Sequence, residues 1–126
     1  MMAKNANPEA KIQIQICKYL RAVMPGGMVQ QARNEHGKAG MAGMMNAVRN
    51  KAMGSVTGFP DLVVFPGNGA AFMLEVKAPK GRVSDSQKEC HTRLAEIGYQ
   101  VAIVRSVDDV RDFLNANSIP HKEVAY

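Results

Sequence analysis

Two carboxylates and one ammonium group occupy matching positions in two neighbouring runs of strand-forming residues. Asp61 opens the first run, and Glu75 and Lys77 lie two positions apart in the second. Side chains alternate along a strand, so Glu75 and Lys77 are expected on one face of a sheet, together with Met73. The spacing therefore predicts a small polar group on otherwise apolar strands.

The turn between these runs places the first acid beside the second. The residues 66–69, Pro-Gly-Asn-Gly, are a strong turn signal, so the two runs form a hairpin. With the turn centred there, Asp61 lies opposite Leu74, or opposite Glu75 after a slip of one residue. The sequence leaves the register open. In both registers Asp61 enters the sheet next to Glu75.

Such a group suits a hard metal ion and a phosphate substrate. Two close carboxylates repel, and Lys77 offsets only one of their charges. Oxygen ligands from Asp61 and Glu75 suit Mg²⁺ or Mn²⁺, which activates water for phosphodiester hydrolysis. The alternative is an ordinary surface ion pair between Glu75 and Lys77. Asp61 at the mouth of the hairpin favours the metal site, and Gly58 permits close approach of the backbone to a ligand.

The elements that must position this group follow from periodicity and capping. The predicted order is helix, strand, excursion, hairpin, helix, strand, helix, which indicates a mixed α/β domain with a central sheet and a parallel crossover. Asn7, Ser84 and Ser106 are the expected N-caps. The boundaries are a helix over 8–23, a short strand over 28–32, strands over 61–65 and 71–77, a helix to about 97, a buried strand over 100–104, a last helix, and an irregular tail from 119.

The segment 33–57 is unusually basic and rich in methionine and glycine. Glu35 is its only acid, which favours contact with phosphates, and it offers no aromatic side chains for base stacking. We interpret it as a mobile basic excursion containing one helix, whose methionine stripe serves packing or a dimer contact. The predicted DNA-binding residues are Arg33, Lys38, Arg49 and Lys51 here, and Lys80 and Arg82 after the hairpin.

The bulk composition bounds the class of protein. The 126 residues, 46% of them hydrophobic, predict a single domain over 1–126, and the net charge of +5 is compatible with a nucleic-acid partner. Cys17 and Cys90 form no paired metal or redox motif, so buried, reduced thiols are expected. A polar N-terminus and the lack of any long apolar run favour a soluble cytoplasmic protein that does not enter membranes. No organic cofactor is expected.

The motifs together resemble a known nuclease group. Pro60-Asp61 followed by Glu75-Val76-Lys77 resembles the PD-(D/E)xK signature. The fuller pattern resembles the VRR-NUC family, in its stand-alone phage and bacterial type, and the resemblance runs from about Glu9 to Leu114. Its segments are 58–64 (GFPDLVV), 74–77 (LEVK), 84–87 (SDSQ) and 98–101 (GYQV).

This resemblance implies a fold and a set of site residues. The fold is an α/β restriction-endonuclease-like core, a central mixed sheet flanked by helices. Asp61 and Glu75 would ligate metal with the backbone carbonyl of Val76, and Lys77 would be the catalytic lysine. Two further residues would belong to the site: Gln87, which resembles the family's helix glutamine, and Glu9, which resembles its first-helix acid and would also reach the metal.

Both added residues have a simpler alternative. A helical wheel places Glu9 on the side of Ile12 and Ile16, yet an acid in a first turn also interacts favourably with the helix dipole. Gln87 faces inward with Cys90, yet Ser84 and Gln87 also form a capping box. His36 and His91 lie in no motif, and we interpret them as ordinary residues.

The resemblance also implies an activity. Stand-alone relatives resemble Mg²⁺- or Mn²⁺-dependent DNA endonucleases that act as homodimers on branched DNA, including four-way junctions. The same activity is expected here, in the host cytoplasm if the chain is phage-encoded. The alternatives are a sequence-specific or nicking endonuclease of the same superfamily and a basic nucleic-acid-binding module without catalysis.

Overall fold

Helices and strands follow one another in the predicted order in the computed structural model, which describes residues 7–32 and 40–124, the side chains of 40–42 excepted. The described part of the excursion, from residue 40 onward, forms one helix, as predicted. The elements are α1 (Pro8–Val23), β1 (Met28–Gln31), α2 (Gly40–Ala52), β2 (Leu62–Phe65), β3 (Phe72–Val76), α3 (Asp85–Glu96), β4 (Gln100–Val104) and α4 (Val107–Ala116).

The three predicted caps begin their helices. The Asn7 side chain accepts from the backbone of Ala10, and the Ser106 hydroxyl accepts from Asp109. Ser84 accepts from the backbone N–H of Gln87 in a complete capping box at the start of α3. These side chains satisfy N–H groups that have no partner inside the helix, which fixes where each helix starts.

The four strands form one mixed sheet in the order β1-β2-β3-β4. The β1–β2 and β2–β3 pairs are antiparallel, and β3–β4 is parallel, joined by α3 as the predicted crossover. Leu62 pairs with Leu74 and Val63 with Met73, so continuing the register puts Asp61 opposite Glu75. The structure therefore selects the second of the two registers that the sequence left open.

The prediction that β4 is a buried strand was wrong. Within the described residues β4 pairs only with β3 and lies at the edge of the sheet. Its residues are mostly half-buried or exposed, and Ile103 is 45% exposed. A short apolar run predicts a strand correctly, but it does not show whether a further strand will cover it.

The two faces of the sheet carry different helices. Phe72, Leu74 and Val76 join the main core formed with α1 and α4. Met73 packs with Cys90 and Leu94 of α3 on the other face. The alternation predicted for the second hairpin strand is thus confirmed, and it sends the site residues of β3 to the α3 face.

Helix α2 stands apart from this core. It packs against no other described helix or strand, and Met44, Met45 and Val48 are each at least 64% exposed. The stripe formed by Met44, Met45 and Val48 therefore does not pack against the described core. The tail after α4 is irregular, as predicted, and the Lys122 backbone N–H donates to Val23.

The cysteines are free thiols, and Cys90 is buried while Cys17 is half-buried. The expectation of two buried thiols therefore holds for Cys90 and not fully for Cys17. Among the described residues, no helix combines the length and the apolar character that crossing a membrane requires.

Candidate active site

Asp61 and Glu75 meet at the end of the hairpin. The Glu75 side chain is only 1% exposed, and its carboxyl group is hydrogen bonded to that of Asp61. Asp61 Oδ2 also accepts from the backbone N–H of Val76 across 2.8 Å. Because β2 begins only at Leu62, this carboxylate satisfies the N–H that the strand pairing would otherwise leave open.

The environment of Glu75 favours its protonated form. Burial, followed by the hydrogen bond and the charge of Asp61, raises the pKa of Glu75 to about 8, with Lys77 opposing the shift and Glu9 adding to it. At neutral pH the two carboxyl groups therefore share a proton. A pair of acids that must hold a proton to lie this close offers the same position to a cation.

Lys77 lies on the same face as Glu75 and is 8% exposed. Its backbone N–H donates to the carbonyl of Val104 across 3.0 Å, which extends the β3–β4 pairing to the lysine. Its positive charge acts against the raised pKa of Glu75. The structure thus brings together Asp61, Glu75 and Lys77, as the sequence predicted.

Gln87 serves two structures at once. Its Oε1 accepts from the Ser84 backbone N–H across 2.8 Å, and its Nε2 donates to Glu75 Oε2 across 3.2 Å. The capping box and the contact with the active site, which were alternatives in the sequence, are both present. The cap orients the amide so that its NH₂ group faces the carboxyl of Glu75.

His91 is the site residue that the sequence interpretation missed. Its Nε2 lies 3.0 Å from Glu75 Oε1. Burial and the charge of Lys77 lower the pKa of His91, so the ring is neutral at pH 7 and the contact is a hydrogen bond rather than an ion pair. The available signal was its position one helical turn after Gln87, on the same inward face of α3.

Glu9 and Arg105 both reach the loop that follows Lys77. A Cβ placed on Gly81 would lie 3.4 Å from Glu9 Oε2, so the acid of α1 reaches this loop. The Arg105 guanidinium donates to the carbonyls of Ala78 and Gly81 across 2.6 and 2.9 Å. Arg105, which no sequence motif indicated, therefore fixes the loop between the lysine and Glu9.

We expected Gly58 to let a ligand approach the backbone closely. In the structure the group that approaches it closely is the backbone of α3 instead. Its φ is +80°, and an added Cβ would lie 2.4 Å from the carbonyl oxygen of Ser86. The glycine thus lets the segment before Asp61 pack directly on the first turn of α3. It positions Gln87 relative to Asp61.

Four of the predicted DNA-binding residues lie in the part of the chain that the structure describes. Arg49 and Lys51 occupy the last turn of α2, and Lys80 and Arg82 are exposed in the loop after β3. Their role in binding stays a prediction. Arg33 and Lys38, and also His36, lie outside the described residues.

Comparison with known proteins assigns the chain to a family. The family model of the VRR-NUC domain matches residues 6–108. The chain belongs to the VRR-NUC family. This VRR-NUC domain is thus a member of a nuclease family, for which DNA is the expected partner.

Solved structures agree with this assignment at the level of the fold. A VRR-NUC domain superposes with a TM-score of 0.63 at 22% identity, covering 87% of this chain and 97% of the other. A VRR-NUC domain protein gives a TM-score of 0.61 at 18% identity, covering 94% and 95%. The α/β fold predicted from the sequence is confirmed. No curated protein matches the chain.

The residues of this VRR-NUC domain fit a hard divalent cation. Asp61 and Glu75 supply carboxylate oxygens, and their shared proton marks where positive charge is needed. Within the described residues no three His, Cys, Asp or Glu side chains form a complete metal-binding group. Mg²⁺ uses one or two carboxylates and keeps several waters, so two acids with the carbonyl of Val76 and water suffice.

Proposed function

We propose that this VRR-NUC domain is a Mg²⁺- or Mn²⁺-dependent endonuclease that hydrolyses phosphodiester bonds in DNA. The observation that carries the proposal is the buried Glu75 held against the half-buried Asp61, with Lys77 on the same strand face. Asp61 also satisfies the backbone N–H of Val76, but burying Glu75 with Lys77 gives no packing advantage, since apolar residues in such positions are often at least as stable. Family membership supports the same chemistry.

The central residues have distinct roles in this proposal. Asp61 and Glu75 bind the cation, with the carbonyl of Val76 as a third protein ligand. A cation held there would supply a water of lowered pKa and would offset charge on the phosphate. Lys77, almost buried, directs its ammonium group toward the reacting phosphate, where it orients the attacking water or stabilises the negative charge of the transition state.

Three outer residues hold the central ones. Gln87 donates to Oε2 of Glu75, and His91 Nε2 is hydrogen bonded to Oε1, so the carboxyl group is oriented from both sides. Such partners of a metal ligand set its rotamer and its affinity for the ion. Glu9 adds negative charge at the loop after Lys77, and this charge acts on Glu75 and would favour a cation at the site.

The proposed substrate is branched DNA, including four-way junctions, cut by a homodimer. A two-fold dimer presents two active sites to a symmetric junction. Support comes from α2, whose exposed Met44, Met45 and Val48 form an apolar stripe with no described partner in the chain. An apolar stripe of this kind suits the same stripe of a second copy. The test is the mass in solution by light scattering, which should change from dimer to monomer on Val48→Glu. A dimer that persists in this variant excludes α2 as the contact.

The nuclease proposal is tested by cleavage of labelled DNA. Four-way junction, flap, single-stranded and linear duplex substrates are incubated with Mg²⁺, Mn²⁺ or EDTA, with Glu75→Gln alongside the wild type. Cleavage that requires metal and is lost in the variant is the expected result. Preference for the junction supports the branched substrate, whereas equal cleavage of linear duplex favours a sequence-specific or nicking enzyme. Binding without cleavage under every metal condition would replace the proposal with a non-catalytic binding module.

A further inference from the structure

A cleft of about 540 Å³ runs along α1 where it crosses the edge strand β1. Asp61 and Glu9 line one end of it, so the cleft opens directly into the candidate active site. Lys18 and Arg21 line it further along α1. Neither cation belongs to the basic residues singled out from the sequence.

The cleft has opposite charges at its two ends. Lys18 follows Glu9 by nine positions of the helix and Arg21 follows it by twelve, which corresponds to roughly 13 and 18 Å along the axis. Both Lys18 and Arg21 are exposed, so their charged groups are free to meet a ligand in solvent. A strand whose phosphate is held at the acids by a cation would place its neighbouring phosphates toward the two basic residues.

The lining between the ends suits a nucleic-acid backbone. Gln13 and Gln31 offer amide groups, and Ile14, which is 61% exposed, offers an apolar surface with Val29. Among the described residues that line it there is no aromatic ring, so these residues provide no stacking platform for bases. Recognition here would rest on phosphates and sugars and would be independent of sequence.

The size of the cleft matches a short stretch of one strand. Its volume lies in the range of about 300–1,000 Å³ that is typical of sites for single small molecules. A nucleotide-sized stretch of one strand is of this size, whereas a duplex is larger. A strand separated from its partner near a branch point meets this condition.

We propose that the cleft between α1 and β1 binds the sugar–phosphate backbone of the single DNA strand that flanks the cut, with Lys18 and Arg21 neutralising its phosphates. This inference rests on the proposed function, because the acids at its open end are taken to hold the scissile phosphate. It adds a path for the substrate on the α1 face, separate from α2 and from the loop after β3.

The first test removes the two charges. Binding of a fluorescent single-stranded oligonucleotide is measured with Ca²⁺ at several salt concentrations for wild type, Lys18→Ala/Arg21→Ala, and Arg93→Ala. Arg93 is an exposed cation of α3, on the opposite face of the sheet. The double variant should bind roughly tenfold more weakly, with a salt slope smaller by about 1.4, whereas Arg93→Ala should lose affinity only slightly.

The second test places the strand in the cleft. Cys17 lines the cleft and is half-buried, while Cys90 is buried on the other side of the sheet. Bound oligonucleotide should slow alkylation of Cys17 by N-ethylmaleimide at least fivefold, as measured by peptide mass spectrometry. Cys90 reports unfolding in the same samples, because its reaction should stay slow throughout.

The outcomes separate this inference from the nuclease proposal. In one outcome the wild type cleaves DNA, the double variant binds as well as Arg93→Ala, and Cys17 is not protected. This result would contradict binding in the cleft and would leave the nuclease proposal intact. Protection of Cys17 that depends on Lys18 and Arg21, without cleavage under any metal, supports the cleft as a binding site and removes the nuclease.

Discussion

Gln87 Nε2 donates a hydrogen bond to Glu75 Oε2 across 3.2 Å. The oxygen of the same amide accepts from the Ser84 backbone N–H across 2.8 Å. One side chain thus completes the start of α3 and orients the buried acid of β3. The Gln87 side chain therefore couples the start of α3 to the geometry of the site. Substitutions can separate its capping role from its role at Glu75.

Gln87→Ala should impair both stability and catalysis, whereas Ser84→Ala should impair stability alone. Loss of the Ser84 hydroxyl removes one cap bond, which costs about 1 kcal/mol, and leaves the amide on Glu75. Loss of the amide removes an orienting partner of a proposed metal ligand, which lowers kcat roughly tenfold or more. Urea unfolding and cleavage rates measure the two effects. Equal kcat in the two variants would contradict the orienting role.

The metal-free protein should lose stability as the pH rises from 7 to 8. Burial and Asp61 raise the pKa of Glu75 to about 8, above the ordinary value of 4.5. Between these values the folded state holds one more proton than the unfolded state, so the unfolding free energy falls with pH, by about 1 kcal/mol from pH 7 to 8. The stabilisation is complete below pH 4.5 and is lost as pH passes through 8.

Glu75→Gln is the control for this pH dependence. The measurement is urea unfolding in EDTA, and the variant should show no such fall. The lowered pKa of His91 gives the opposite slope below its ordinary value of 6.5, so the window above pH 7 isolates Glu75. The same slope in wild type and variant would assign the pH dependence to another group.

Lys77→Met should abolish cleavage without unfolding the protein. Methionine fills the nearly buried space of the lysine side chain without its charge. Loss of one group that stabilises the transition state lowers kcat roughly 10²–10³-fold. Lys80→Met, at an exposed position three residues later, should change KM and its salt dependence and leave kcat near wild type. Single-turnover rates at saturating DNA measure this, and a wild-type rate for Lys77→Met would exclude a catalytic lysine.

Arg105→Ala should loosen the loop after Lys77. The guanidinium donates to the carbonyls of Ala78 and Gly81, and losing these bonds should cost roughly 2–3 kcal/mol. Trypsin should then cut faster after the exposed Lys80, as followed by mass spectrometry, and kcat should fall as well. Arg111→Ala removes a guanidinium that pairs with Asp108 on α4 and should leave the loop resistant. Unchanged cleavage at Lys80 in Arg105→Ala would show that the loop is held by other contacts.

Gly58→Ala should damage the site more than Gly54→Ala. Both glycines have positive φ, so both substitutions carry backbone strain of roughly 1–3 kcal/mol. Only at Gly58 does the new Cβ also collide with α3, at 2.4 Å from the Ser86 carbonyl oxygen, while Gly54 has open space around it. Thermal unfolding and cleavage of each variant measure the difference. Similar losses in both would mean that α3 shifts without disturbing Gln87.

Local patterns determined most of the elements and the central residues. Caps at Asn7, Ser84 and Ser106 fixed three helix starts because each supplies an oxygen to an otherwise unpaired N–H. The alternation along β3 put Glu75 and Lys77 on one face because the period of a strand is two. These features depend only on neighbours within a few positions, so the sequence was sufficient for them.

Contacts between distant segments could not be obtained in this way. The pairing of Asp61 with Glu75 depended on a register that the turn left open by one residue. His91 and Arg105 carry no motif, and their contacts exist only because α3 crosses above β3 and β4 runs parallel beside it. The exposure of β4 depended on whether another strand lay beyond it.

The sequence by itself determined which residues bear the chemistry and which strand and helix carry them. Only the tertiary structure decided which oxygen each amide and imidazole reaches, that Gly58 packs on α3, and that a cleft along α1 opens onto Asp61. The physical reason is that periodicity fixes the direction of a side chain within its own element. Hydrogen bonds and clefts depend on the distance between elements, which the packing of the whole chain sets.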